Sequence, residues 1–380
     1  MDIQKVDFFR HNIEEQDIER CNEVLRSVFL ATGKVVEQLE DQLSAYLNLP
    51  HAIAVTSCTE ALQLCLMGLG IGPGDEVITT PMTFCATSNV ILHVGATPVF
   101  VDVRPEDGNM DPALIEAKIT ERTKAIIPIH LYGRMADMRA ISTIAQKHGL
   151  KLIEDAAHCL EGERDGVKPG QLGDAACFSF YATKNITSGE GGAIATKDEA
   201  LAERLKPLRL HGIDKTAADR YTKSYQHWDM RVLGLKANMS NIQAALLVGQ
   251  LERIESLWNR RESLAKRYEQ ALAGLPGVVL KEVGAQERSG RHLMTIQVAP
   301  AKRDACLKRL QELGVGVAVN FRAVHLLEYY RSKFGFHEGD FPVAESIGGG
   351  TISLPLYPLL SEAELDYVVA QVKQVAQELL

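Results

Sequence analysis

The sequence has no CxxC pair, no HExxH and no close cluster of histidine with carboxylates. These absences remove the usual spacings of a zinc site, so no catalytic metal is expected. Its seven cysteines (Cys21, Cys58, Cys65, Cys85, Cys159, Cys177 and Cys306) are odd in number and mostly lie in apolar runs. They read as reduced thiols of a cytoplasmic protein, not as a disulfide framework. No apolar stretch reaches membrane-spanning length, and residues 1–10 are charged without an apolar core. Neither a membrane span nor a signal peptide is therefore expected. A formal net charge of −8 speaks against a general nucleic-acid binder, which carries a basic face. There is no internal repeat or low-complexity run. The glycine-rich stretch 68–74 follows a helix and precedes a strand, the reverse of a dinucleotide-binding fingerprint. It reads as a turn, and a nicotinamide-dependent oxidoreductase is disfavoured.

What remains is an ordinary globular composition, 46% hydrophobic and 24% charged, over 380 residues. That length suits a large domain with a smaller one. Strands expected at 51–55, 76–79, 97–103, 123–130, 151–155, 175–181 and 192–196 alternate with helices at 13–28, 60–69, 87–94 and 138–148. Such alternation predicts an α/β fold, a mostly parallel sheet sandwiched by helices, with ligands outside the carboxyl ends of the strands. A long amphipathic helix over 240–272 leads to a second unit with strands at 292–298 and 316–321 and helices at 303–313 and 362–378. We read residues 1–250 as the large domain and 251–380 as a small C-terminal α/β domain. The polar stretch 215–228 reads as a mobile loop or an interface.

Three strand ends carry chemistry. At Ser57-Cys58-Thr59-Glu60 a strand enters a helix. Small hydroxyl residues there offer backbone N–H groups and a positive dipole end to a phosphate, or simply cap the helix. Asp155 closes the strand 151–155; its carboxylate faces the crevice, where it could hold a protonated ring nitrogen, or caps the next helix. His158 could stack on or hydrogen-bond a cofactor, or be structural. The most specific segment runs from Gly173 to Gly192, where an apolar strand delivers Ser179 and then Lys184 into a loop of small residues. Partial desolvation lowers a lysine's pKa and frees its amine for imine formation. Ser179 can donate to a phosphate, and Gly189, Gly191 and Gly192 allow sharp turns beside a bulky ligand. The plainer alternative is a surface lysine in a hairpin loop.

The 173–192 segment, with Ile153-Glu-Asp-Ala-Ala-His158, closely resembles the DegT-type sugar aminotransferases of pyridoxal-phosphate (PLP) fold type I. Val55-Thr-Ser-Cys-Thr59, Gly74-Asp-Glu-Val-Ile78, Gly95-Ala-Thr-Pro98 and Lys236-Ala-Asn238-Met-Ser240 match as well, so the resemblance covers nearly the whole chain. It implies the PLP-dependent transferase fold type I and pyridoxal 5′-phosphate joined to Lys184, which then serves as acid and base. It places Asp155 on the pyridine nitrogen, and the amides of Thr59 and Glu60 with the Ser179 hydroxyl on the phosphate. Phe84 would stack on the ring, with His158 near it. Asn238 would reach the phosphate of a partner subunit, making an obligate homodimer with a shared active site. Two positions depart from the family pattern: Asn241 stands where an acidic residue is common, and Cys58 where glycine or alanine is usual. Neither removes a catalytic group. Because Lys184 is kept, amino transfer is expected over the dehydration chemistry of members without it.

Within the family, Asn320-Phe-Arg-Ala-Val-His325 and Tyr329-Tyr330-Arg331 look like the enzymes that make 4-amino-4-deoxy-L-arabinose on UDP. That implies a UDP-linked 4-keto sugar as acceptor, L-glutamate as donor, and a place in cell-surface polysaccharide or lipopolysaccharide biosynthesis. Arg322 and His325 would then touch substrate, or be structural residues of the small domain. Enzymes for 3-keto sugars and for dTDP- or GDP-linked ones share the family, and a PLP-fold regulator without turnover is the non-enzymatic alternative.

Overall fold

The computed structural model describes residues 3–214 and 227–380. The polar stretch 215–228 thus lies, apart from its last two residues, outside the described residues. The chain opens with helices α1 (Glu15–Leu25) and α2 (Lys34–Leu47) and strand β1 (His51–Val55), then α3 (Cys58–Gly68), β2 (Glu76–Thr79), α4 (Cys85–His93) and β3 (Thr97–Phe100). After β4 (Thr123–Ile126) come α5 (Met138–His148), β5 (Lys151–Asp155), the short β6 (Glu163–Arg164), β7 (Ala175–Ser179), β8 (Gly192–Thr196) and α6 (Glu199–Leu208). The second half holds α7 (Asn241–Glu252), α8 (Ile254–Leu272), the short β9 (Glu287–Arg288), β10 (Met294–Gln297) and α9 (Pro300–Glu312). It closes with α10 (Glu328–Phe334), α11 (Pro342–Gly350), β11 (Thr351–Leu354) and α12 (Glu362–Leu379).

Seven strands form one sheet in the order β1-β8-β7-β5-β4-β2-β3. Only β8 runs against the rest: it pairs antiparallel with both β1 and β7, while the β7-β5-β4-β2-β3 pairings are parallel. β5 is buried beyond its first residue, as expected for a central strand covered on both faces. Helix ends follow their local chemistry. Asp137 caps α5 by accepting from the Ala140 amide at 3.1 Å, and Gly149 ends it in the left-handed region at φ 64°. One core, with Leu62, Leu64, Ile194 and Leu201, lies under α3 and α6; another, with Leu39, Leu43, Phe178 and Leu247, lies under α2 and α7.

A further core surrounds the antiparallel β10–β11 pair, closed by Leu310 of α9 and by Leu365, Val368 and Val372 of α12. It also takes in Val6 from the start of the chain and Leu264, Tyr268 and Leu272 of α8. The first turn of α8, with Ile254 and Leu257, packs instead with the α2–α7 core, so one helix ties the two together.

Two expectations need correction. The segment 240–272 is two helices, broken at Arg253 (φ −108°, ψ 15°), whose guanidinium is held by buried Asp17 and by the Asn12 carbonyl at 2.9 Å. Residues 316–321 form no strand. A single bridge joins Ala318 to Ser353, after which the chain is drawn toward the large sheet, where the Tyr132 hydroxyl donates to the Asn320 carbonyl. No described helix is long and apolar enough to cross a membrane.

Candidate active site

Because β8 is antiparallel to β7, the loop 180–191 folds back over the carboxyl end of the sheet. There it meets the ends of β1 and β5. The result is a cavity of about 590 Å³ whose wall includes Thr59, Phe84, Asp155, His158, Ser179 and Lys184. Six of the sequence-derived residues are thus brought together.

β1 leads into α3 through Ser57, whose Oγ accepts from the Glu60 amide at 3.1 Å. The capping alternative is therefore realised, yet the first turn still presents Cys58 and Thr59 to the cavity. Glu60 itself is not in the wall, and its amide already has a partner. Gly192 is obligatory here: a Cβ would stand 2.4 Å from the Ser57 carbonyl carbon and 2.6 Å from the Cys58 nitrogen. That close approach seats β8 against the helix start.

Asp155 is buried at the end of β5. Its carboxylate accepts from Thr87 Oγ1 at 2.7 Å and from the Ala157 amide at 3.2 Å, with Cys58 Sγ 4.0 Å away. Lys184 makes no ion pair among the described residues, and its backbone N–H donates to the Tyr181 carbonyl. Burial pushes its amine down from 10.5 to about 8, against the smaller opposing pull of Cys58 and Asp155. Burial, with the nearby Lys184, also pushes His158 well below the usual histidine range. The His158 ring stacks on Phe321, centroids 5.7 Å apart and 19° between planes. Phe84, 57% exposed, faces Phe321 from the cavity mouth.

The remaining sequence-derived residues lie elsewhere. Asn238 is outside the cavity; its Nδ2 donates to Thr32 Oγ1 at 2.6 Å. Arg322 is exposed in a neighbouring groove with Arg331, and neither makes an ion pair among the described residues. His325 as a substrate contact is corrected: it is fully buried, its ring edge-on to Phe341 at 4.7 Å, and Nε2 donates to Glu345 at 2.9 Å. It does not line the cavity.

Sequence reasoning passed over Thr87 and His292 and quoted Asn320 only within a motif, without a role; all three are in the wall. A lone histidine opening a strand carries no distinguishing signal, and Thr87 sits inside an ordinary helix pattern.

A lowered-pKa lysine and a buried carboxylate share the carboxyl end of a mostly parallel sheet with a helix N-terminus. These parts define a PLP-dependent aminotransferase. PLP fits the cavity: the α3 start suits its phosphate, Asp155 its ring nitrogen and Lys184 its aldehyde. The chain belongs to the DegT/DnrJ/EryC1/StrS aminotransferase family, whose model matches residues 11–373. It is 42% identical over 371 residues to the spore coat polysaccharide biosynthesis protein SpsC of Bacillus subtilis, covering 96% of this chain and 95% of that one. It is 38% identical over 376 residues to the UDP-4-amino-4-deoxy-L-arabinose–oxoglutarate aminotransferase of Shewanella sediminis, covering 96% and 97%. Among solved structures it is similar to Spr1654 of Streptococcus pneumoniae in its pyridoxamine-phosphate form, with a TM-score of 0.94, 32% identity, and coverage of 99% and 100%. The chain is a sugar aminotransferase of this family.

Proposed function

We propose that this enzyme moves the amino group of L-glutamate to a nucleotide-linked keto sugar, a UDP-4-keto sugar, in the cytoplasmic assembly of a cell-surface polysaccharide or lipopolysaccharide. The observation that carries the reading is Lys184, held near pKa 8 by burial, in the same cavity wall as buried Asp155. The named activity of the Shewanella relative supports the sugar, and the polysaccharide role of SpsC supports the pathway class.

Bound in the cavity, PLP supplies an electron sink that lets the bond between hydrogen and an amine-bearing carbon ionise. The chain supplies the rest. Thr59 and the Glu60 end of α3, with Ser179, hold the phosphate. Glu60 contributes through the helix dipole, since Ser57 occupies its amide. Asp155, oriented by Thr87 and the Ala157 amide, holds positive charge at the ring nitrogen. Phe84 and His158 confine the ring. Nζ of Lys184 takes the proton from the glutamate α-carbon and, in the second half-reaction, returns one to the sugar carbon. Burial lowers the pKa of that amine, which frees more of it to accept a proton than in an ordinary lysine. Arg322 and Arg331 flank a groove next to Phe321, and their guanidinium groups, without an ion pair among the described residues, suit a diphosphate.

Asn238 completes the phosphate site of a second copy in a homodimer. Two exposed apolar stretches support that arrangement: Leu25, Val28 (89% exposed), Phe29 and Leu30 on one side, and Met230, Val232 and Leu233 (80% exposed) on the other. Both lie close in the chain to Asn238 or to its partner Thr32.

An absorbance scan of PLP-loaded protein tests the reading. Glutamate should bleach the visible band, and a UDP-4-keto sugar from a panel of nucleotide sugars should restore it. A band indifferent to glutamate, or restored only by another class of acceptor, rejects it.

A further inference from the structure

The residue after Lys184 engages both amide hydrogens and the carbonyl oxygen of its side chain. Asn185 Nδ2 donates to Glu161 Oε2 and to the Gly290 carbonyl, both at 2.8 Å, and its Oδ1 lies 3.2 Å from Nδ1 of His292. With both amide protons committed, Oδ1 is an acceptor, so His292 carries its proton on Nδ1. Glu161 is buried and pinned by Arg261 of α8, so a flipped amide would set its oxygen against Glu161 Oε2 and the Gly290 carbonyl. Beside it, Nδ1 of His158 accepts from the Tyr132 amide at 3.2 Å, which leaves that ring's proton on Nε2. The two rings stand 4.4 Å apart, tilted by 38°, in the wall that Lys184 shares. Burial keeps both neutral. The nitrogens without a partner among the described residues are therefore of opposite kind: an N–H on His158 and a bare lone pair on His292.

We propose that Asn185 is a positioning residue that fixes His292 in the Nδ1–H form, so that His292 Nε2 accepts a hydrogen bond from the amino group handled in the Lys184 cavity. The proposal rests on the reading of Lys184 as the reacting amine. An amine has an N–H to give and a carbonyl oxygen has none, so an acceptor here favours the amino form of a bound ligand over its oxo form.

Nitrogen-15 NMR of histidine-labelled holoenzyme reads the tautomer directly. His292 should show a protonated Nδ1 and a bare Nε2; the opposite form, or an imidazolium, overturns the proposal. His292→Asn keeps an amide N–H near the Nδ1 position and removes Nε2. It should slow the glutamate half-reaction about tenfold, the worth of one hydrogen bond in a closed site, without lowering Tm. An undiminished rate overturns the proposal. Asn185→Ala should give a mixture of His292 tautomers and a similar slowing; an unchanged His292 spectrum removes the positioning role. Should wild-type enzyme ignore glutamate altogether, the parent reading fails, while the nitrogen spectrum still decides the tautomer.

Discussion

The strand-end segment 153–192 and the C-terminal segment 320–345 meet at one cavity but treat their polar groups differently. In the first, the fold leaves one buried amine, that of Lys184, without an ion pair among the described residues. Burial, against a smaller pull from Asp155, sets the Lys184 amine low. In the second, the carboxylate of Glu345 is given partners. Glu345 accepts from His325 and from the amides of Gly339 and Phe341, and these bonds hold its carboxyl below the usual range. A buried polar group that the protein already satisfies has little left for a ligand.

Substitutions can break or sharpen that contrast. Lys184→Ala should abolish turnover, by on the order of 10⁴-fold or more, while permitting residual non-covalent PLP binding; steady-state rates and cofactor retention check both. Asp155→Ala should cost roughly 10²- to 10³-fold in kcat by leaving the ring nitrogen without its counter-charge, and near-normal rates would show the carboxylate misplaced. His325→Ala should instead destabilise the protein by about 2 kcal/mol, through a core cavity and an under-bonded Glu345, with KM for both substrates unchanged. Denaturant melts alongside kinetics separate those effects.

Lys184 also makes a pH signature. Its amine sits near 8 in the fold against an ordinary 10.5, so the unfolded chain binds more protons between those values. Stability of the cofactor-free protein should rise with pH across that window, and Lys184→Met should flatten the rise. Arg322→Ala should produce the smallest change. KM for the nucleotide sugar should rise about fivefold, the loss of one exposed charge-assisted contact, with the glutamate half-reaction unaltered.

The same contrast explains what was legible in the amino-acid order. Strands over 51–55, 76–79, 151–155 and 192–196 stand where apolar runs bounded by turns place them, because sheet register ties side-chain direction to position. From there the carboxyl-end rule leads to Asp155, Ser179 and Lys184. No such register governs 320–325. Asn320 and Phe321 face the cavity, Arg322 faces a groove, and His325 faces an aromatic cluster. Adjacency in the chain alone could not sort them. The break at Arg253 was hidden too, since it depends on Asp17, 236 residues away in the chain. Asn185 and His292 acquire meaning only through Glu161 and Gly290, contacts that exist after folding.

Borohydride reduction of the PLP-loaded protein, followed by digestion and mass spectrometry, tests the central assignment most directly. The reduced cofactor should be found on the peptide that contains Lys184, with its mass on that side chain. Attachment to any other lysine, or no attachment, would contradict the account.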